Sequence, residues 1–193
     1  MAQALKKAEY RLSPRWGLDG QVKAAAGTGG AALEVSQWAL NDFVITKGAL
    51  SRMVDLRVTV NGEVMFKSMR GDGLIVSSPT GSTAYAFSAG GPVVDPSLRT
   101  IQLTPICPHD LMDRSVVISG DAEVGIEVLC DKGPAFLTVD GQEGFEMPTG
   151  STLSLKPSRE PVVLMEPLLK NFPSRSYYEQ LRIKLGFGGS GGN

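Results

Sequence analysis

The segment from residue 70 to residue 85 combines residues that can bind an oxygen-rich ligand with the order strand, turn, helix. The apolar run 74–76 predicts a buried strand, and the cluster 79–81 predicts a turn. Ser82 or Thr83 is a suitable cap for a helix that follows. Such a junction leaves backbone N–H groups free to face a ligand. The alternative is an ordinary capped helix without a ligand.

Small side chains on this predicted helix favour a ligand site over a purely structural element. Ala84 and Ser88 lie one helical turn apart, and Gly81 permits close approach to the backbone. Tyr85 adds a flat ring and a hydroxyl group. A ligand could therefore lie directly against the helix.

Asn41 and Asp42 interrupt what otherwise looks like one buried strand, with apolar residues on both sides. Two polar residues in such a place are costly unless they have a partner. They could form a bulge or a strand end that bonds to its own backbone, as Asn and Asp often do. The other interpretation is that they bind a polar ligand.

Asp72 lies between two glycines directly after Arg70. A polar β-turn is the simplest explanation, and an integrin-type Arg-Gly-Asp adhesion loop is a second one. Nothing in the sequence indicates secretion, which disfavours the adhesion loop. Arg52 and Arg70, each taken singly, are typical of solvated surface charges.

Composition limits the class of protein. The 193 residues suffice for one domain, or one domain with a small appendage, and the net charge of −1 provides no general attraction to nucleic acid or an anionic membrane. Cys107 and Cys130 are too few for a disulfide framework, and His109 is the only histidine, so no metal site is expected. We expect a soluble cytoplasmic protein with reduced cysteines, because no signal peptide or membrane span is evident.

Alternating apolar and polar residues predict a mainly β, layered sandwich-like fold. The predicted strands are 54–60, 64–68, 124–130, 135–139, 151–155 and 161–165, with hairpin turns at Asn61-Gly62 and Asp140-Gly141. Only the segments 82–89 and 176–185 have convincing helical patterns. The predicted division is a helix or linker at 1–36, a β-rich domain at 37–172, and a helix with a flexible tail at 173–193.

Four groups of residues together carry a family resemblance. They are Ala-Leu-Asn-Asp at 39–42, Arg-Gly-Asp-Gly at 70–73, Thr-Gly-Ser-Thr-Ala-Tyr at 80–85 with Ser-Ala-Gly-Gly-Pro at 88–92, and Pro-Ile-Cys-Pro-His at 105–109. In order and spacing they resemble the C-terminal domain of NAD kinases, over residues 39–187. The resemblance implies a β-sandwich in which one short helix lines an NAD-binding site.

The resemblance also implies roles for individual residues. Asn41 and Asp42 would face the ribose of the adenosine half of NAD, where an amide and a carboxylate suit a diol. Tyr85 would stack or hydrogen bond near that ribose, and Asp72 would approach the nicotinamide side, often across a subunit boundary. The further positions implied are Arg52 and Arg70 near the phosphates, Thr83, Ala84, Ala86, Phe87 and Ser88 on the substrate helix, and Cys107 and Gln142 in flanking loops.

NAD kinases transfer a phosphoryl group from ATP, or from polyphosphate in some members, with Mg²⁺, to the 2′-hydroxyl of the adenosine ribose, which gives NADP. The family's base is the aspartate of a Gly-Gly-Asp-Gly motif that this sequence lacks, and Asp72 is not assigned that role. We therefore expect the NAD-binding part of a kinase, a homodimer or homotetramer, with no catalytic residue of its own. The alternatives are a non-catalytic nucleotide-binding or oligomerisation module and, disfavoured by its motifs, a related lipid kinase.

Overall fold

A computed structural model describes residues 10–25, 33–48, 53–130, 133–167 and 176–186. The chain divides into two compact units, residues 15–162 and residues 1–14 with 163–193. The strands are β1 (Tyr10–Arg15), β2 (Leu18–Ala24), β3 (Leu33–Ala39), β4 (Asp42–Lys47), β5 (Val54–Val60), β6 (Glu63–Gly71), β7 (Gly73–Ser77), β8 (Thr100–Ile106), β9 (Val116–Ser119), β10 (Val124–Val128), β11 (Ala135–Val139), β12 (Glu143–Met147), β13 (Thr152–Pro157) and β14 (Val162–Pro167).

The larger unit is a sandwich of two six-stranded sheets. The first sheet has the order β3-β2-β13-β10-β5-β6 and the second has the order β12-β11-β4-β7-β8-β9. All neighbouring strands in both sheets are antiparallel. The predicted mainly β sandwich is confirmed.

One apolar core lies between the two sheets. Along β5, Val54, Leu56 and Val58 are fully buried, while the residues between them face outward. The opposite sheet contributes Phe43 from β4, whose ring fills the space beside Gly20, where a Cβ would collide with it. Alternation along β5 places one face of that strand in the core. In the second sheet β7 is buried along its whole length, and Val44 and Ile75 pack on the other face of that sheet against Ala86.

The two predicted hairpin turns are confirmed. Asn61 and Gly62 connect β5 to β6 with φ values of 52° and 82°, and Asp140 and Gly141 connect β11 to β12 with φ values of 48° and 68°. Positive φ at both central residues is the geometry that matches the twist of a two-residue hairpin. Asn, Asp and Gly tolerate it best, which is why these dipeptides predicted the turns.

The predicted helix at 82–89 is wrong in its continuity and its cap. The structure has a 3-10 turn (Gly81–Thr83) and a separate single turn of α-helix, α1 (Tyr85–Ser88), joined through Ala84 at φ −102° and ψ −128°. The Ser82 hydroxyl caps neither element. It donates to the carbonyl of Pro79 and accepts the N–H of Val94 at 2.9 Å. The hydroxyl therefore fixes the position of the backbone at Val94 and does not cap a helix.

The smaller unit contains a two-stranded sheet of β1 and β14 and the helix α2 (Tyr177–Leu185). Ser176 accepts the N–H of Glu179, and Gly186 ends the helix in the left-handed region, which confirms the predicted C-terminal helix. No helix in the described part of the chain is both long and apolar enough to cross a membrane.

The predicted division into 1–36, 37–172 and 173–193 stays a prediction. Residues 1–9 lie outside the described residues, but β2 and β3 differ from the predicted linker because both pair within the first sheet. Sequence periodicity missed both strands because residues 25–32, which lie between them, are rich in Ala and Gly.

Candidate functional site

Asn41 lies at a corner where the chain crosses between the two sheets of the sandwich. β3 ends at Ala39 in the first sheet and β4 begins at Asp42 in the second. The expectation that Asn41 and Asp42 interrupt one strand was therefore wrong. Backbone N–H groups at such a corner are not hydrogen bonded within either sheet, so they need other hydrogen-bond acceptors.

Asp140 supplies those partners from the β11–β12 turn. Its Oδ2 accepts the N–H of Leu40 at 2.8 Å, and its Oδ1 accepts the N–H groups of Asn41 at 2.8 Å and Asp42 at 3.0 Å. The Asp140 N–H in turn donates to the Asp42 carbonyl at 3.0 Å. Sequence reasoning recognised Asp140 only as a turn residue, because its partners lie about a hundred positions away.

The 78–81 turn holds the corner from the other side. Ser78 donates its N–H to the Asn41 carbonyl at 2.9 Å and its hydroxyl to the Leu40 carbonyl at 2.6 Å. Its hydroxyl also accepts the N–H of Gly81 at 3.1 Å. Gly81 itself packs against the Asn41 backbone, so the close approach expected for a ligand is made by the protein.

Three of the backbone N–H groups that were expected to be free at this turn have partners within it. Gly81 donates to Ser78, Ser82 donates to the carbonyl of Ser78, and Ala84 donates to the carbonyl of Gly81. These donors serve the turn itself. The 3-10 turn therefore offers little to an anion, and the polar chemistry lies beside it.

A cleft of about 330 Å³ opens on the outer face of the second sheet between α1 and the 140–141 turn. Four predicted site residues line it: Asn41, Asp42, Ala84 and Tyr85. Sequence reasoning did not assign its other lining residues to the site, namely Val44, Thr138, Asp140 and Gly141. The cleft brings an amide, two carboxylates and a phenol ring to one place.

Asp42 is the least exposed of the polar residues in the cleft, with 5 % of its surface accessible. Burial, and then the charge of Asp140, raise its pKa to about 6. At neutral pH Asp42 is largely ionised and acts as an acceptor, whereas below about pH 6 it carries a proton. Tyr85 is 46 % exposed, so its ring is available to a ligand.

The remaining predicted residues of the substrate helix do not line the cleft. Ala86 is fully buried and packs against the sheet, Phe87 is half-buried, and Ser88 is exposed. Thr83 is half-buried, and its hydroxyl lies 3.4 Å from the Thr80 carbonyl. Gln142 is exposed just beyond the turn and donates its N–H to the Val139 carbonyl.

A second group of predicted residues lies at the other end of β4. Asp72 forms an ion pair with Lys47, with 2.6 Å between the Nζ and Oδ1 atoms. Arg70 pairs with Asp55, with 3.7 Å between the Nε and Oδ2 atoms. Cys107 is exposed nearby at a φ of 45°. Asp42 and Lys47 are five residues apart on the strand, about 17 Å. One copy of the chain therefore does not bring the cleft residues and the Asp72 group together. Arg52, the remaining predicted residue, lies outside the described residues.

The described residues contain no group of three or more His, Cys, Asp or Glu side chains arranged to hold a metal ion. Asp42 and Asp140 are the two carboxylates of the cleft, and both oxygens of Asp140 accept backbone N–H groups. Because the Asp140 carboxylate already accepts these N–H groups, the cleft does not offer the oxygen-rich coordination that Mg²⁺ requires.

Comparison with known proteins points to one family. The family model described as the ATP-NAD kinase C-terminal domain matches residues 40–166. The NAD kinase of Geotalea daltonii is 41 % identical over 182 residues, which cover 94 % of this chain and 60 % of that protein. The NAD kinase of Moorella thermoacetica is 41 % identical over 181 residues, which cover 94 % of this chain and 54 % of that protein.

Two solved structures are similar. Yeast NADH kinase complexed with NADH has a TM-score of 0.84 at 24 % identity, covering 98 % of this chain and 52 % of that one. An Archaeoglobus fulgidus NAD kinase in complex with ATP has a TM-score of 0.64 at 28 % identity. The match covers 86 % of this chain and 59 % of that one. The chain thus spans between about half and three fifths of the length of these relatives.

Proposed function

Since the chain belongs to the ATP-NAD kinase C-terminal domain family, we propose that its cleft binds the adenosine ribose of NAD. The chain would then be the NAD-binding part of an NAD kinase, which phosphorylates the ribose 2′-hydroxyl to give NADP. The observation that carries this proposal is that the adjacent residues Asn41 and Asp42 line one cleft together with Tyr85, which is distant in the sequence.

The polar groups of the cleft match a ribose diol. Ionised Asp42 accepts hydrogen bonds from hydroxyl groups, and the Asn41 amide both donates and accepts them. A diol presents two donors and several acceptors, so the pair can satisfy both hydroxyls at once. The half-exposed Tyr85 ring offers a flat apolar surface on which a sugar or base can lie.

The size of the cleft supports binding of the nucleoside half only. A volume of about 330 Å³ lies at the lower end of the range typical of small-molecule sites. The nicotinamide half would extend beyond it. We propose that Asp72, at the far end of β4, meets that half from a second copy in a homodimer or homotetramer, with Arg70 and Cys107 beside it.

The phosphoryl-transfer step needs groups that this chain does not supply. ATP or polyphosphate with Mg²⁺ would be bound elsewhere, because the sequence has no Gly-Gly-Asp-Gly motif and the described residues form no Mg²⁺ site. The chain's own part is to hold the ribose so that the 2′-hydroxyl is presented to the donor. A cytoplasmic location is part of this proposal and agrees with two free cysteines.

Calorimetric titration with NAD and NADP tests the binding, with Asn41→Ala as the site variant. We expect wild type to bind either dinucleotide and Asn41→Ala to bind at least about fivefold more weakly, since a lost hydrogen bond to a ligand is worth about 1 kcal/mol or more. Equal affinities would contradict the assignment of the cleft.

A chimera distinguishes a kinase from a non-catalytic nucleotide-binding module. The chain would replace the matching span of the Geotalea daltonii NAD kinase, and NADP formation would be measured with ATP and Mg²⁺. Turnover in the chimera but not in the isolated chain supports the proposal. NAD binding without turnover in the chimera would favour the module.

A further inference from the structure

The carboxylate of Asp140 faces three consecutive backbone N–H groups of the corner rather than a side chain. The distances are 2.8, 2.8 and 3.0 Å to the nitrogens of Leu40, Asn41 and Asp42. Charge-assisted hydrogen bonds of this kind are roughly twice as strong as neutral ones. Three of them on one carboxylate fix both the position and the orientation of the corner.

We propose that Asp140 is a positioning residue of the ribose site: it holds the backbone of residues 40–42 so that Asn41 and Asp42 face the cleft. This inference rests on the proposed function, since it concerns the same site. Asp140 acts through the corner, and its oxygens are engaged by the protein before any ligand arrives.

The geometry of the corner explains why such a residue is needed. Asn41 belongs to neither sheet, because β3 ends at Ala39 and β4 begins at Asp42. Sheet hydrogen bonding therefore does not fix its backbone, and Ser78 holds only the carbonyl side, through Leu40 and Asn41. Asp140 holds the N–H side, so the two residues together leave the corner little freedom.

Asp140 also acts on Asp42 through its charge. The titratable groups that line the cleft with Asp42 are Asp140 and Tyr85, and no Lys, Arg or His is among the lining residues. The negative charge of Asp140 contributes to the raised pKa of Asp42, after burial. Removing that charge should therefore lower the pKa of Asp42, an effect that loss of a merely structural turn residue would not produce.

The chain contains a matched control for the test. Asn61 occupies the equivalent place in the β5–β6 turn, with a φ of 52° against 48° for Asp140, and its Oδ1 accepts the N–H of Glu123 at 2.9 Å. Asn is thus compatible with this turn geometry, and Asp140→Asn should fold. The amide, however, presents an NH₂ group where one carboxylate oxygen now accepts, so at least one backbone N–H loses its partner.

The experiment compares wild type, Asp140→Asn and Asn61→Asp in three measurements: NAD affinity by calorimetry, hydrogen exchange at the amides of residues 40–42, and the pKa of Asp42 by carboxyl-carbon NMR. For Asp140→Asn we expect NAD affinity to fall by about tenfold to a hundredfold, the loss typical of hydrogen bonds to charged groups. The three amides should exchange faster, and the Asp42 pKa should fall. Asn61→Asp should match wild type in all three.

Unchanged NAD affinity in Asp140→Asn, or unchanged exchange at residues 40–42, would overturn the inference while leaving the ribose site in place. If wild type bound no dinucleotide, the proposed function would fail, and the positioning role would fail with it even if exchange and pKa changed as expected. The two failures are therefore distinguishable in one set of samples.

Discussion

The backbone of Gly81 packs directly against the carbonyl group of Asn41, with no space between them for a side chain. This contact joins the 3-10 turn below α1 to the corner that carries Asn41 and Asp42. The cleft lies beside this contact and is lined by Asn41 and Asp42 of the corner and by Ala84 and Tyr85, which follow the 3-10 turn. Its width therefore depends on how closely the turn and the corner meet. A change at Gly81 should therefore affect the cleft as well as the fold.

Replacing Gly81 with Ala should destabilise the chain by about 1–3 kcal/mol, the usual cost of overpacking. The added Cβ would collide with backbone atoms of Asn41, which cannot move aside as a flexible side chain could. Urea denaturation measures the loss, and NAD titration should show weaker binding because the corner is displaced. Ser88→Ala, at an exposed position on α1, serves as the stability control. A Gly81→Ala variant as stable as Ser88→Ala would show that the contact is not tight.

Replacing Asp42 with Asn should stabilise the chain at pH 7 and not at pH 4. The pKa of Asp42 is about 6 in the folded chain and 3.8 as the unperturbed value, so the folded state binds more protons between these limits. Stability due to Asp42 is therefore present below pH 4 and lost as the pH rises to about 6. After allowance for solvent screening, this rise in pH lowers the free energy of unfolding by about 2 kcal/mol.

Denaturation curves at pH 4 and pH 7 test this difference, with Ser88→Ala as a control, because the Ser88 side chain is exposed and carries no group that titrates between these pH values. We expect the stability of Asp42→Asn relative to wild type to increase between the two pH values and that of Ser88→Ala to stay constant. The same Asp42 variant should bind NAD more weakly at pH 7, since it loses an ionised acceptor. A parallel pH dependence in all three proteins would contradict the raised pKa.

Replacing Tyr85 with Ala should weaken NAD binding about tenfold and leave stability nearly unchanged. The ring is 46 % exposed, so little apolar burial is lost, whereas stacking on a base is worth about 1–3 kcal/mol. Tyr85→Phe should keep most of the affinity because it keeps the ring. Tyr178→Ala, on α2, is the matched control and should bind as wild type. Wild-type affinity in Tyr85→Ala would place the ligand elsewhere.

Replacing Asp72 with Ala should cost less than about 1 kcal/mol of stability, because its pair with Lys47 is exposed. If Asp72 meets NAD bound to a second copy, the same variant should weaken NAD binding, and Lys47→Ala should not. Sedimentation velocity shows whether the samples are oligomeric, and titrations at several chain concentrations measure the affinities. An Asp72 effect of equal size in monomeric and oligomeric samples would rule out a contribution from a partner copy.

Local patterns in the sequence determined the fold class and about half of the strands, but not β2 or β3. Alternation of apolar and polar residues located β5 and β11, and the Asn61-Gly62 and Asp140-Gly141 pairs located two hairpin turns, because both signals act between neighbours in the chain. The family motifs indicated Asn41 and Tyr85 as candidates for a site. These features depend on strand pleating and turn geometry, which a few residues are enough to specify.

Only the tertiary structure decided how the candidates meet. Asp140 lies 98 to 100 positions from the backbone groups that it holds, and Ser82 uses its hydroxyl for Val94 instead of a helix cap. The raised pKa of Asp42 likewise follows from burial and from Asp140, neither of which its sequence neighbours indicate. Such contacts depend on the order of strands within the two sheets, and strand order is set by long-range packing that leaves no local pattern in the chain.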